Sequence, residues 1–542
     1  MQHPFADEKN LRFFCLSGAL ARVLLPYILD RGPLYGRYPS AGLREPEDPS
    51  SDRKKIVVEF SSPNLGKEFD GAHLRSTIIG SYIAALYESR GWDVVRINYL
   101  GDWGKHIGLL ALGWSKFGSD ELFEADPLGH LLDVSTQIEE LLKSEQKQIK
   151  SLLEDGQEAE AKLLEINGIS SEKDLHFKKL EERDPEALLL WQRFRDLSVA
   201  KYAEQYSRLN ISFDEFSGES TVKPETVAEI ESALKEKDLY EESDDAWVIN
   251  FSKLEIKGLK TAIGRYRNNT TTYLLRDVAA ALERYRKYNF DKMIYVATSR
   301  QDSHFQQVFK TLESIGYGDL VSRLHHSSFK IGKDMGISPS DGRNGLLLGD
   351  ILDQCRDAVD ALFAVDPDDT EEFPKGNPIV SDALGVTNLL VQDLSHRHTT
   401  AVTFDLNQMT TVHGHTGLSL QQWYIALTQR LRGVEIDRES LERADMTIFE
   451  APDSEHADVL RLLIQFPDQV KMSFKAHESS IILTYLFRVT EAISSVWGDH
   501  DPDEGGSSSR NDDALMALFQ CALHVLENGM AISGLLPLKV YT

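Results

Sequence analysis

One stretch constrains the fold more than any other. It runs from "IVVEF" at residue 56 through "GAHLRSTIIGSYIAALYESRGW" to "DVVRINYLGDWG", which ends at residue 104. A short apolar run rich in β-branched residues, entered abruptly from a polar segment, reads as a buried strand. The next run carries apolar residues at helical spacing and stops at Gly91, a helix-ending signal. A second apolar run then leads into a polar turn. Strand, turn, helix, strand is a βαβ unit. Its loops lie at the carboxyl end of a parallel sheet, where nucleotides bind in such folds.

The rest of the chain organises around that unit. Its 542 residues suffice for two to four domains. Residues 40–55, "SAGLREPEDPSSDRKK", are a polar, Pro-containing linker. Residues 118–210 are rich in Glu, Lys, Leu and Ala with helical periodicity, which predicts a helical insertion. The α/β pattern returns in "TTTYLLRDVAAALERYRKYNFDKMIYVATSRQDSHFQQVFKTL". From about residue 405 the pattern is mostly helical, apart from the polar, Gly/Ser-rich stretch 498–512. The predicted divisions are 1–54, 55–404 with an insertion at about 115–215, and 405–542.

The net charge of −27 leaves no large basic surface by composition, so nucleic acid would need local Lys and Arg clusters. Cys15, Cys355 and Cys521 form neither a disulfide framework nor a zinc spacing. The N-terminal region reads as a helix rather than a signal peptide, and no uninterrupted apolar run approaches membrane-spanning length. These features predict a cytoplasmic chain with no membrane partner, expected to be a monomer. His413-Gly414-His415 has no third ligand in view, so no metal is expected.

Several ordered blocks resemble eukaryotic-type arginyl-tRNA synthetases: "VVEFSSPN…HLRSTIIG", "NYLGDWGKHIGLL", "FSGESTVKPETV", "TTTYLLRDVAAALERYRKY", "HTGLSLQQWYIALTQRL" and "ALHVLENGMAISGLLPLKV". The resemblance implies a class I Rossmann-type α/β catalytic domain with a helical insertion. An all-α C-terminal domain of the anticodon-binding kind follows it. Only "LSGALARVLLPYILDRGPLYG" is similar to the end of the family's N-terminal domain.

The resemblance also supplies a pocket. A guanidinium is planar, always charged and best held by paired carboxylates. The positions matching the family's arginine-holding residues are Glu59, Asn64, Tyr273, Asp277 and Gln301. Glu59 and Asp277 are expected to clamp the guanidinium. Asn64 and Gln301, helped by Ser62, take the α-amino group, and Tyr273 packs on the aliphatic stem.

The nucleotide signatures depart from the family. Its His-Ala-Gly-His is here Asp70-Gly71-Ala72-His73, and its Lys-bearing second loop falls in "ISPSDGRNG", without an Arg-Lys pair. An aspartate facing a phosphate about 4 Å away costs roughly 4 kcal/mol at an effective dielectric near 20. Loss of both signatures suggests arginine that arrives already activated. The sequence therefore resembles the fungal arginine-containing cyclodipeptide synthases, which are similar to arginyl-tRNA synthetases. On that expectation the chain makes a cyclo(Arg-Xaa) diketopiperazine, in secondary metabolism, from arginyl-tRNA and a second aminoacyl-tRNA. Asp70 and His73 are then the candidate catalytic bases, and no cofactor is used. The alternatives are an ATP-dependent arginine-tRNA ligase and a non-catalytic arginine- or tRNA-binding paralogue.

Overall fold

In the computed structural model the described residues are 5–7, 10–12, 16–254, 259, 261–332, 345–365, 370, 373–451, 453–498 and 509–538. The βαβ unit forms as the sequence predicts. Strand β1 (Lys55–Glu59) leads to helix α1 (Gly71–Ser89), strand β2 (Asp93–Leu100) and helix α2 (Lys105–Phe117). Later come strand β3 (Glu215–Gly218), helix α3 (Tyr273–Tyr288), strand β4 (Lys292–Thr298), helix α4 (Asp302–Ser314) and strand β5 (Leu324–Phe329).

These strands make one parallel sheet in the order β5-β4-β1-β2-β3. β1 is central: Val57 registers with Val95 of β2 on one side and Met293 of β4 on the other. Ile56, Val57 and Val58 have no exposed surface, as a strand covered on both faces requires. The chain order reverses between β1 and β4, so a crevice opens beyond their carboxyl ends. α1 lies close to β1: a Cβ on Gly80 would run into Phe60, so only glycine allows this approach.

Five helices, Asp120–Ala125, Pro127–Glu154, Glu158–Asn167, Ile169–Glu181 and Pro185–Arg208, fill the connection from α2 to β3. A three-stranded antiparallel sheet, Tyr240–Ser243, Ala246–Ile249 and Ala262–Arg265, precedes α3 and was not anticipated. Its strands are only four residues each, too short for a period-two signal to stand out.

Helices also dominate after β5, beginning with Leu348–Val365 and Pro378–Leu394. The N-terminal helix Ser17–Arg31 packs against the C-terminal helices Arg438–Arg443, Glu455–Leu463 and Ser509–Ile532. Asn528 donates to the carbonyls of Gly32 and Tyr35 at 2.9 and 3.0 Å, and the Tyr35 hydroxyl donates to Leu463 O. The segment Asp513–Ile532 is long and apolar enough to cross a membrane, but 67% of it is buried inside the protein. It is the spine of this bundle. A buried ion pair joins sheet and bundle: Arg75 Nε of α1 lies 3.0 Å from Asp393 Oδ2, and both side chains are 1% exposed.

Candidate active site

The carboxyl ends of β1 and β4 and the first turns of α1, α3 and α4 enclose a cleft of about 610 Å³. Its walls include all eight site residues expected from the sequence: Glu59, Ser62, Asn64, Asp70, His73, Tyr273, Asp277 and Gln301.

β1 delivers Glu59 and then bends sharply. Ser61 and Ser62 have φ of 72° and 52°, left-handed values that cost a non-glycine residue roughly 1–3 kcal/mol. Neighbours hold the bend. The Ser61 N–H donates to Ser76 Oγ at 2.9 Å and Thr77 Oγ1 donates to Ser61 Oγ at 2.7 Å. The Tyr206 hydroxyl, from insertion helix Pro185–Arg208, shares a 2.5 Å hydrogen bond with Ser61 Oγ. The same helix braces a second wall. Arg195 Nε donates to the fully buried Asp102 at 2.8 Å, and Asp102 accepts from the Ser220 N–H and hydroxyl at 3.0 and 2.7 Å. Ser220 adjoins Glu219, which lines the cleft. Tyr206→Phe should therefore cost about 1 kcal/mol, measured as a shift in urea midpoint at constant slope.

Three carboxylates converge at the acidic end, Glu59 buried and Glu219 and Asp277 partly buried. Arg284 Nη1 lies 2.5 Å from Glu59 Oε2, and Arg276 Nη2 lies 2.5 Å from Glu219 Oε2. Burial, only partly offset by these arginines and reinforced by Asp277, raises both Glu59 and Glu219 to about 7. Among the described residues no arginine pairs with Asp277; its Oδ2 meets His304 Nε2 at 2.7 Å. Tyr273 stands beside it, its ring 5.1 Å from that of His304.

Glu219, Arg284 and His304 were not singled out from the sequence. Glu219 sits inside the quoted "FSGES" block, where only its order was used. Arg284 had a signal of its own, a charged residue on the apolar face of "LLRDVAAALERY". A cation so placed needs a buried anion.

Asp70 is the N-cap of α1. Its Oδ1 accepts from the N–H groups of Ala72 and His73 at 2.9 and 3.0 Å, and its own N–H donates to His73 Nδ1 at 3.3 Å. Burial raises its pKa, but hydrogen bonds and charge from His73 and the two backbone donors outweigh it, so the carboxyl titrates at about 2. Such a group is too weak a base to take a proton from an ammonium. The second-loop stretch "ISPSDGRNG" lies outside the described residues up to residue 344. Among the described residues no three His, Cys, Asp or Glu side chains are placed to hold a metal. His415 instead pairs with Glu491 at 2.8 Å and stacks on Phe487.

Comparison with known proteins places these features. Residues 43–406 match the family of class I (R) tRNA synthetase catalytic domains, and residues 420–540 match the DALR anticodon binding domain. A probable cytoplasmic arginine–tRNA ligase of Schizosaccharomyces pombe is 37% identical over 98% of this chain and 82% of its own length. A mitochondrial arginine–tRNA ligase of Saccharomyces cerevisiae is 35% identical over 97% of this chain and 77% of its own. The fold is shared with the Thermus thermophilus arginyl-tRNA synthetase, with a TM-score of 0.70 at 16% identity over 99% of this chain and 88% of that one.

These relatives overturn the expected cyclodipeptide synthase. The proteins similar over nearly the whole chain are arginine–tRNA ligases, so the diketopiperazine product, the secondary-metabolism role and the second aminoacyl-tRNA fall. The physical reason lies at Asp70: the substitution that suggested new chemistry serves as a helix cap. The relatives occupy two compartments, cytoplasm and mitochondrion. With two matched domains and relatives above the 30% level across almost its entire length, the chain belongs to the arginyl-tRNA synthetase family.

Proposed function

We propose that this chain is an arginine–tRNA ligase whose cleft holds arginine and ATP. The observation that carries the reading is Asp277. At the acidic end of the cleft it is the carboxylate that, among the described residues, no arginine pairs with, next to two that are so matched. A monocationic guanidinium suits that imbalance. Glu59, already shared with Arg284, adds to the negative field. Tyr273 lies against the aliphatic stem, while Asn64, Gln301 and Ser62 meet the α-amino group.

In the reaction the arginine carboxylate attacks the α-phosphate of ATP, and the bond to pyrophosphate breaks. A terminal hydroxyl of tRNA then attacks the mixed anhydride and AMP leaves. Positioning of the reactants supplies much of the barrier reduction. His73, at the first turn of α1, is the side chain of the altered signature that remains to meet phosphate. The matched C-terminal region supports tRNA as the macromolecular partner.

The test is arginine-dependent pyrophosphate exchange together with arginyl ester formation on tRNA. Arginine binding accompanied by neither activity overturns the ligase reading.

The cleft also predicts a pH dependence. Glu59 and Glu219 hold protons until about 7, and a guanidinium favours their ionised forms. Arginine affinity should fall about tenfold per titrating group between about pH 8 and pH 6, read by calorimetry. Without arginine the sign of stability is opposite. Both folded values exceed the ordinary glutamate value of 4.5, so stability present below that pH is lost as pH rises through about 7.

A further inference from the structure

Arg284 is a wall between two cavities. On one side it pairs with Glu59 in the cleft. On the other it lines a second cavity of about 460 Å³, bounded by β3, α3 and the start of helix Pro224–Glu236. Tyr99 lines both cavities as well, with the Arg284 guanidinium 4.4 Å from its ring centroid.

The second cavity is cationic in a chain of net charge −27: Lys223, Arg284, Arg286 and Lys287 line it against Glu215 and Glu283. Three of the cations have a carboxylate partner, Lys287 with Glu215 at 2.8 Å, Arg286 with Glu229 at 2.6 Å and Arg284 with Glu59 of the neighbouring cleft at 2.5 Å, which leaves the Lys223 charge and the second Arg284 nitrogen to a ligand. Three lining residues carry buried polar atoms that, among the described residues, have no hydrogen-bond partner: Arg284 Nη2, Tyr99 Oη and Ser217 Oγ. The Arg284 side chain is 8% exposed and Ser217 is 6% exposed. All three groups are donors, and Lys223 adds an exposed ammonium at the rim. A guanidinium, an ammonium and two hydroxyls are the groups that bind phosphate oxygens.

We propose that this cavity binds a small phosphate-bearing anion, and that its occupancy tightens arginine binding in the neighbouring cleft through Arg284. The sign follows from charge. Arg284 now spends its charge on Glu59, and a phosphate drawing on the same guanidinium leaves more of the Glu59 charge to a substrate cation. Coupling is reciprocal, so arginine tightens phosphate binding by the same factor.

The coupling rests on the cleft being the arginine site, whereas phosphate binding does not, and two measurements separate them. The first is the melting temperature without arginine, in inorganic phosphate against chloride at matched ionic strength. Phosphate should raise it, acetate should not, and Lys223→Ala should remove the rise. The second is calorimetric titration with arginine. Phosphate should tighten binding about fivefold, the low end for coupled sites. Lys223→Ala should abolish that gain and leave the affinity in chloride unchanged. No phosphate-dependent rise in melting temperature, an equal rise with acetate, or a rise that survives in Lys223→Ala overturns the site. A rise without tighter arginine binding overturns the coupling. Failure of arginine to bind under any condition sinks the earlier reading of the cleft and leaves the melting result to judge the cavity alone.

Discussion

Asp277→Asn should raise the KM for arginine by about 10²–10³-fold. Removing one partner of a buried charge pair costs about 3–5 kcal/mol, and in this variant the substrate guanidinium is the group left unmatched. The protein itself should stay folded, because Asp277 meets His304 and not a buried arginine. Glu59→Gln is the contrasting case. It strands Arg284, which is 8% exposed, and so should lower the stability of the whole protein as well as the affinity. The asparagine variant should also narrow the preference for arginine over citrulline, its neutral ureido isostere, since the lost term is charge. Steady-state kinetics with both amino acids checks this. A KM within about threefold of wild type, small beside that range, removes Asp277 from the pocket.

The sequence carried the sheet and the pocket further than the chemistry. "IVVEF" and "KMIYVAT" are apolar runs that only a sheet covered on both faces explains, and both became central parallel strands. Glu59, Asp277 and their neighbours were legible only through the family blocks, since a strand-end Glu and a helix-start Asp read by themselves as ordinary strand-end and capping residues; the structure brings them to one cleft. Arg284 was not, since its meaning depends on Glu59, over two hundred residues away. Glu219 was hidden similarly: its partner is Arg276 of α3, and Asp102 and Arg195 hold its neighbour Ser220. Asp70 was misread for a different reason. Its residue type was weighed against the family signature, while its place before an apolar helix, with His73 three residues on, is the pattern of a helix N-cap. Residue type alone does not say what accepts or donates at a side chain.

That cap leads to the second large effect. The N–H groups that open α1 are where a phosphate is best received, because the start of a helix carries partial positive charge. Here the Asp70 carboxylate already accepts from two of them. With a pKa of about 2 it is an anion throughout the working pH range. ATP must approach that fixed charge. The unscreened cost, roughly 4 kcal/mol at about 4 Å, is reduced because the Asp70 side chain is 46% exposed to solvent. Asn caps helices as well as Asp does, so Asp70→Asn keeps the hydrogen bonds and removes only the charge. Under the ligase reading it should raise arginine-dependent pyrophosphate exchange at subsaturating ATP by about 10–10²-fold. The gain should shrink at high salt, as screening already lowers the repulsion. An Ala variant separates charge from capping: it should show a similar gain in exchange while losing about 1 kcal/mol of stability. If the asparagine variant exchanges no faster than wild type at low salt, the phosphates of ATP do not approach the start of α1. The departure from the family signature at residue 70 is then purely structural.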